Sequence, residues 1–175
     1  MKLVSLLRHA KSSRDDPSLD DFERPLNARG RKAAPEIGAA MTENRIEPDI
    51  VLCSSALRTR QTLDLITRRL GRPREPRILD ALYMAGAPVI LSHINALPDD
   101  FEHVLVIGHN PGLEALAAGL ADPTRSDEGA LRRLKRKFPT GALAGFEFDA
   151  ETWRDVTQGE GRLVSFSTPN GREKK

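Results

Sequence analysis

The sequence predicts an α/β protein, a three-layer α/β/α sandwich with a mostly parallel central sheet and an antiparallel edge. Three observations carry that expectation. Apolar runs of strand length, at residues 2–7, 49–53 and 104–108, alternate with stretches whose apolar residues recur at helical spacing. The runs are apolar almost throughout rather than every second residue, as in strands covered on both faces. Two last strand-like segments, 141–149 and 161–167, are separated only by a turn around Trp153, which suits a hairpin at the sheet edge.

Taken in order, the first run is interrupted only by Ser5 and ends near Leu7, so Arg8 and His9 open a loop. Within a continuing strand they would point to opposite faces, and their joint use requires the strand to stop. Residues 13–24 are polar, acidic and contain Pro17, a surface loop close enough to His9 to form one lip of a site. Leu26, Ala33, Ile37, Ala40 and Met41 then fit a helix to about Asn44, with Pro35 a kink or a shifted start. The second run ends in Ser54-Ser55-Ala56-Leu57-Arg58. Ser55 is the expected N-cap of a helix that carries Leu57, Leu63, Leu65, Ile66 and Leu70. Arg58 falls in its first turn, where the macrodipole favours a carboxylate by about 0.3–1 kcal/mol. A residue that departs from the stabilising choice is a candidate for work.

Residues 76–79 read as a third strand, followed by Asp80 and a helix from Ala87 to Leu97. Asp80 is a candidate general acid, although an aspartate after a short apolar run is more often a cap or turn residue. His93 and His103 have no evident partners and read as structural. The run 104–108 delivers His109-Asn110-Pro111-Gly112, with Asn110 as N-cap and Pro111 at the first helical position. Leu131, Leu134 and Phe138 share a face of a short helix whose basic segment, Arg132 to Lys137, reads first as a solvated face and otherwise as a dock for an acidic partner or a phosphate-rich ligand.

Length and composition limit what these ends can serve. At 175 residues, 39% apolar and 30% charged, the chain suits one domain over residues 1–169, followed by a mobile tail at 170–175. The 27 basic and 25 acidic residues nearly balance, so bulk charge points to neither nucleic acid nor membrane. The one cysteine, Cys53, has no internal partner. No long apolar span or secretory signal is evident, which gives a cytoplasmic expectation. Composition leaves the oligomeric state open.

Three strand ends carrying histidine or arginine are the chemical content of the sequence. A guanidinium fork binds phosphoryl oxygens bidentately, and a neutral imidazole can attack phosphorus, so Arg8, His9, Arg58 and His109 make a coherent phosphotransfer set without metal or cofactor. The P-loop, dinucleotide and nucleophile-elbow patterns are absent. A zinc site built from His9 and His109 would need a third ligand and would sit among repelling arginines.

These residues also carry a family resemblance. Leu7-Arg8-His9-Ala10-Lys11-Ser12 resembles the opening motif of the histidine phosphatase superfamily, the phosphoglycerate-mutase-like fold, with alanine where glycine is commoner. Arg24-Pro25-Leu26-Asn27-Ala28-Arg29-Gly30, the segment from Ser54 to Thr62, Ala81-Leu82-Tyr83 and Gly108-His109-Asn110-Pro111-Gly112-Leu113 are similar to the compact SixA-type phosphohistidine phosphatases. The resemblance implies a phosphoglycerate-mutase-like fold, His9 as the nucleophile, Arg8 and Arg58 on the phosphoryl oxygens, and His109 completing the pocket. It implies a phosphorylated protein, carrying phosphohistidine, or a small phosphorylated molecule as substrate. The other readings are a phosphatase of small phosphate esters or polyphosphates, and a non-catalytic phosphate-binding regulatory module.

Overall fold

A computed structural model of the chain describes residues 1–70 and 76–169. Six strands, β1 (Lys2–Arg8), β2 (Ile50–Ser54), β3 (Arg77–Leu79), β4 (His103–Gly108), β5 (Leu143–Phe148) and β6 (Arg162–Ser167), form one sheet in the order β3-β2-β4-β1-β5-β6. The first four in that order are parallel, and β5 and β6 complete the sheet as antiparallel strands. Five helices are described: α1 (Ala28–Glu43), α2 (Leu57–Thr67), α3 (Ala87–Asn95), α4 (Gly112–Leu120) and α5 (Glu128–Arg136).

The period of two along each strand divides the interior into two cores. Val4, Leu6, Ile50, Leu52, Val104 and Val106 face one way and are buried with Ile90, Ile94, Leu113, Leu116, Leu131 and Leu134 of α3, α4 and α5. Leu7, Val51, Cys53, Leu105 and Ile107 face the other way, buried with Ala34, Ile37, Met41, Leu63 and Ile66 of α1 and α2. These two layers of helix on a covered sheet are the sandwich that the apolar strands predict. Ser5, the one polar break in β1, is explained by His103: its Oγ lies 2.9 Å from His103 Nε2, so neither buried polar group is orphaned. No described helix is long and apolar enough to cross a membrane.

Local expectations fare unevenly at element ends. Arg8 is the last residue of β1, so the loop opens at His9. The 13–24 loop contains a 3-10 turn at Asp21–Glu23, and α1 begins at Ala28 with Asn27 as its cap, accepting from Gly30 N–H at 2.9 Å. Ser55 does not cap α2: Ala56 holds that position, and the buried Ser55 Oγ has no hydrogen-bond partner among the described residues. Asn110 does not cap α4 either. Pro111 stands at the cap position and Asn110 instead turns its Nδ2 to the Phe138 carbonyl at 2.8 Å. The tail expected at 170–175 lies outside the described residues.

Two glycines let helices seat closely against neighbouring loops: Gly30 of α1 against the loop that carries His9, and Gly112 of α4 against the segment at Ala85. A Cβ on Gly30 would lie 2.1 Å from the Lys11 carbonyl oxygen, and one on Gly112 would lie 1.8 Å from that of Ala85. Both approaches are to backbone, which has nowhere to yield.

Candidate active site

The site gathers at the carboxyl end of the parallel strands, where open α/β sheets place their ligands. β1 delivers Arg8 and then His9, β2 ends in Ser54, the first turn of α2 presents Arg58, and β4 leads directly to His109. The His9 loop is held from several sides. His9 N–H donates to the Gly108 carbonyl at 3.1 Å, Ala10 N–H to Thr62 Oγ1 at 3.1 Å, and Gly141 N–H to the His9 carbonyl at 3.0 Å. A cleft of about 450 Å³ is lined by Arg8, His9, Arg58 and His109 together with Asp21, Arg24, Asn110 and others. The structure thus brings the four sequence-predicted side chains around one cavity.

Arg58 is the hub. Its Nε lies 3.3 Å from His9 Nε2 and its Nη2 lies 3.3 Å from His109 Nδ1. A guanidinium only donates, so both of those ring nitrogens present lone pairs. The opposite nitrogen of His9 fits that assignment, since Nδ1–H donates to the Ala10 carbonyl at 2.7 Å. Burial, reinforced by His109, Arg58 and Arg8, pushes His9 down to about 3; burial and Arg58 push His109 down to about 4. Both imidazoles are therefore neutral near pH 7, and His9 offers an unprotonated Nε2 beside a fixed cation. The two ring centres are 5.4 Å apart.

Asp21 explains how a cation persists in the first turn of α2. Arg58 Nη1 donates to the Asp21 carbonyl at 2.6 Å and Nη2 to its Oδ2 at 3.0 Å. The same carboxylate accepts from the Tyr83 hydroxyl at 2.6 Å and from Arg24 Nη1 at 2.7 Å. The Tyr83 hydrogen bond, with Arg24 and Arg58, holds the Asp21 carboxyl well below the usual carboxylate range, and Asp21 in turn raises Tyr83. On the other side Arg8 donates from Nη1 to the Phe138 carbonyl at 3.0 Å, while its buried Nε has no partner among the described residues. Burial, with help from Arg58, lowers the Arg8 value although Glu114 opposes it.

Sequence reasoning missed Asp21, Arg24 and Tyr83 as members of the site, and singled out Ser54 only as one of a serine pair that, with Arg58 and the helix N-terminus, could cradle an anion. Asp21 stands in the loop expected to form a lip, but nothing in that loop singles it out from Asp15, Asp16 or Asp20. Asp80, the candidate acid, is exposed at the start of a 3-10 turn and is not among the residues that line the cleft. His93 lies on α3, also away from the lining residues. Among the described residues no group of three or more His, Cys, Asp or Glu side chains is arranged to hold a metal ion.

The cleft continues into a neighbouring depression of about 390 Å³ lined in part by Lys11, Arg29, Lys32, Glu36 and Thr140, with Lys11 and Thr140 common to both. Arg29 and Lys32 lie on one face of the first turns of α1, where neither the macrodipole nor their mutual repulsion favours them.

Sheet order, helix layers and an imidazole-guanidinium pocket at the strand ends define an α/β protein of the phosphoglycerate-mutase-like class. The sequence profile of the histidine phosphatase superfamily (branch 1) matches residues 4–83. An uncharacterized protein of Mycobacterium tuberculosis is 37% identical over 163 residues, spanning 93% of this chain and 99% of that one. The structure assigned as phosphohistidine phosphatase SixA from Nakamurella multipartitia is 31% identical, covers 97% of this chain and 96% of its own, and superposes with a TM-score of 0.82. The corresponding SixA structure from Agrobacterium tumefaciens is also 31% identical, with coverage of 96% and 98% and a TM-score of 0.78. The chain belongs to the histidine phosphatase superfamily.

Proposed function

We propose that this chain is a phosphatase that removes phosphate from phosphohistidine on a protein, through a phosphohistidine intermediate on His9 and without a metal ion. The observation that carries the reading is the lone pair of His9 Nε2, fixed by Nδ1–H on the Ala10 carbonyl and set 3.3 Å from the Arg58 guanidinium. Residues 1–169 act as one domain in this reading.

In the first step Nε2 of His9 attacks phosphorus in line, the P–N bond to the substrate imidazole breaks, and the departing ring takes a proton from solvent. Arg58 turns its Nε and Nη2 hydrogens from the two histidines to phosphoryl oxygens. Arg8 supplies a second cation and the unused Nε–H, which stabilises charge spread over the equatorial oxygens. In the second step water attacks the phosphoryl group on His9, yields inorganic phosphate and restores the imidazole, its proton passing to solvent or phosphate. An imidazole leaves more readily than an alkoxide, so the placement of Asp80 outside the lining of the cleft is consistent with this substrate.

The neighbouring basic depression supports a protein-borne substrate. The side chains of Lys11, Arg29 and Lys32 have no hydrogen-bond or ion-pair partner among the described residues, and they extend the cleft in one direction. An acidic protein surface around a phosphohistidine would engage all three, whereas a small ester held in the cleft would not reach Arg29 and Lys32.

The test is turnover of a panel: a phosphohistidine protein, sugar phosphates and polyphosphate, with and without chelator. The expected result is the highest kcat/KM on the phosphohistidine protein, unchanged by chelator. Preference for an ester or polyphosphate would replace the proposed substrate, and loss of activity with chelator would remove the metal-free mechanism.

A further inference from the structure

Ser54 ends β2 and is fully buried, with its Oγ 2.7 Å from Nε2 of His109. The other nitrogen of that ring faces Arg58 Nη2 at 3.3 Å. Because the guanidinium has hydrogens but no lone pair to offer, Nδ1 is the unprotonated nitrogen of the neutral ring. The ring proton therefore sits on Nε2 and is donated to Ser54 Oγ. Ala56 N–H also points at this oxygen, at 3.4 Å, which leaves the hydroxyl chiefly an acceptor. Ser55, its neighbour in sequence, makes no comparable contact.

We propose that Ser54 is a positioning residue for His109: by accepting Nε2–H it fixes the tautomer that turns Nδ1 towards Arg58 and confines the ring's protonation change to that nitrogen. The inference rests on reading the cleft as a phosphoryl-transfer site. In the structure Nδ1 accepts from Arg58. Once Arg58 turns to a phosphoryl group, His109 can hold an oxygen only by donating, and it does so by taking one proton from solvent onto Nδ1. Nε2–H remains on Ser54 in both states, so no buried nitrogen is orphaned when the ring changes charge. Without the hydroxyl, Nε2–H is buried with no acceptor. The alternative tautomer removes that orphan but sets Nδ1–H against the Arg58 donor. Either outcome disorders the ring that completes the pocket.

The hydroxyl is the feature at issue, so Ser54→Ala, Ser54→Thr and Ser55→Ala are compared with the unaltered chain. Long-range proton–nitrogen NMR of the histidine side chains reads the tautomer of His109 with and without inorganic phosphate, and steady-state kinetics with the phosphohistidine protein are followed against pH. The unaltered chain should show His109 with its proton on Nε2, and phosphate should add a proton at Nδ1. Ser54→Ala should shift the ring towards the other tautomer and lower kcat about tenfold, with KM changed much less and the acid limb of the pH profile displaced. Ser54→Thr should restore both tautomer and rate, and Ser55→Ala should behave as the unaltered chain. A proton on Nδ1 in the unaltered chain overturns the proposal, as does a Ser54→Ala variant with the original tautomer and rate. Should Ser54→Ala fail to fold, the tautomer of the unaltered chain and the behaviour of Ser54→Thr still decide. Absence of turnover by every form would instead count against the phosphatase reading, while the NMR result on Ser54 stands separately.

Discussion

Replacing Arg58 with alanine should separate catalysis from folding. The side chain is 3% exposed and gives Nε and Nη2 to the two pocket histidines, so two N–H groups are lost from the place where a phosphoryl group would sit. A charge-assisted hydrogen bond contributes about 1.5–3 kcal/mol, and two of them about 3–6 kcal/mol. At about 1.4 kcal/mol per factor of ten, kcat/KM should fall by about 10²–10⁴. Stability should change far less. The partner carboxylate of Asp21 is 48% exposed and keeps Tyr83 and Arg24, so the ion pair contributes at most about 1 kcal/mol. Removing the cation also relieves its repulsion of protonated His9 and His109, so both titrate higher than in the unaltered chain. Lysine should recover little, because an ammonium cannot reproduce the fork that spans both rings. The assay is kcat/KM on a phosphohistidine protein beside urea unfolding followed by Trp153, the one tryptophan, which is fully buried. Activity within tenfold of the unaltered chain, with the fold intact, would refute the placing of Arg58 at the transition state.

Two further outcomes follow from the displaced titrations of the site. His9 and His109 titrate in the folded chain at about 3 and about 4, below the ordinary histidine value of about 6.5. The unfolded chain therefore binds more protons in this window, so stability is fully present above about pH 6.5 and is lost as pH falls towards 4. Between pH 7 and pH 5 each ring should withdraw about 2 kcal/mol from the unfolding free energy, and His9→Gln should remove one such contribution; a flat profile would contradict the neutral buried rings. Tyr83 is the one tyrosine, so its phenol can be titrated by ultraviolet absorbance without interference, and Asp21→Asn should bring its raised value back towards 10. An unchanged titration would show that Asp21 and Tyr83 are not paired in solution.

The sheet and the four predicted side chains were legible because they depend on local signals. β1, β2 and β4 are apolar on both faces and each ends in a polar turn, so the strand ends could be aligned before any contact was known. Cap chemistry was less reliable. Asn110 and Ser55 have the residue types that cap helices, yet Asn110 is drawn to the Phe138 carbonyl and the helices start at Gly112 and Leu57. The cap preference is about 1 kcal/mol, small enough for tertiary contacts to override. Ser54 and Ser55 differ in role only because consecutive residues point to different sides, which composition cannot reveal. Asp21 was hidden for another reason: Arg58 and Tyr83, the partners that bring it into the site, lie 37 and 62 residues away.

The central claim is that His9 becomes phosphorylated. The chain and its His9→Ala variant should be incubated with a phosphohistidine protein, quenched rapidly under alkaline conditions, and analysed by mass spectrometry. The account predicts an acid-labile phosphate on His9 during turnover, and neither phosphate nor turnover in His9→Ala. Phosphate trapped on a different residue, or turnover that survives loss of the His9 imidazole, would contradict it.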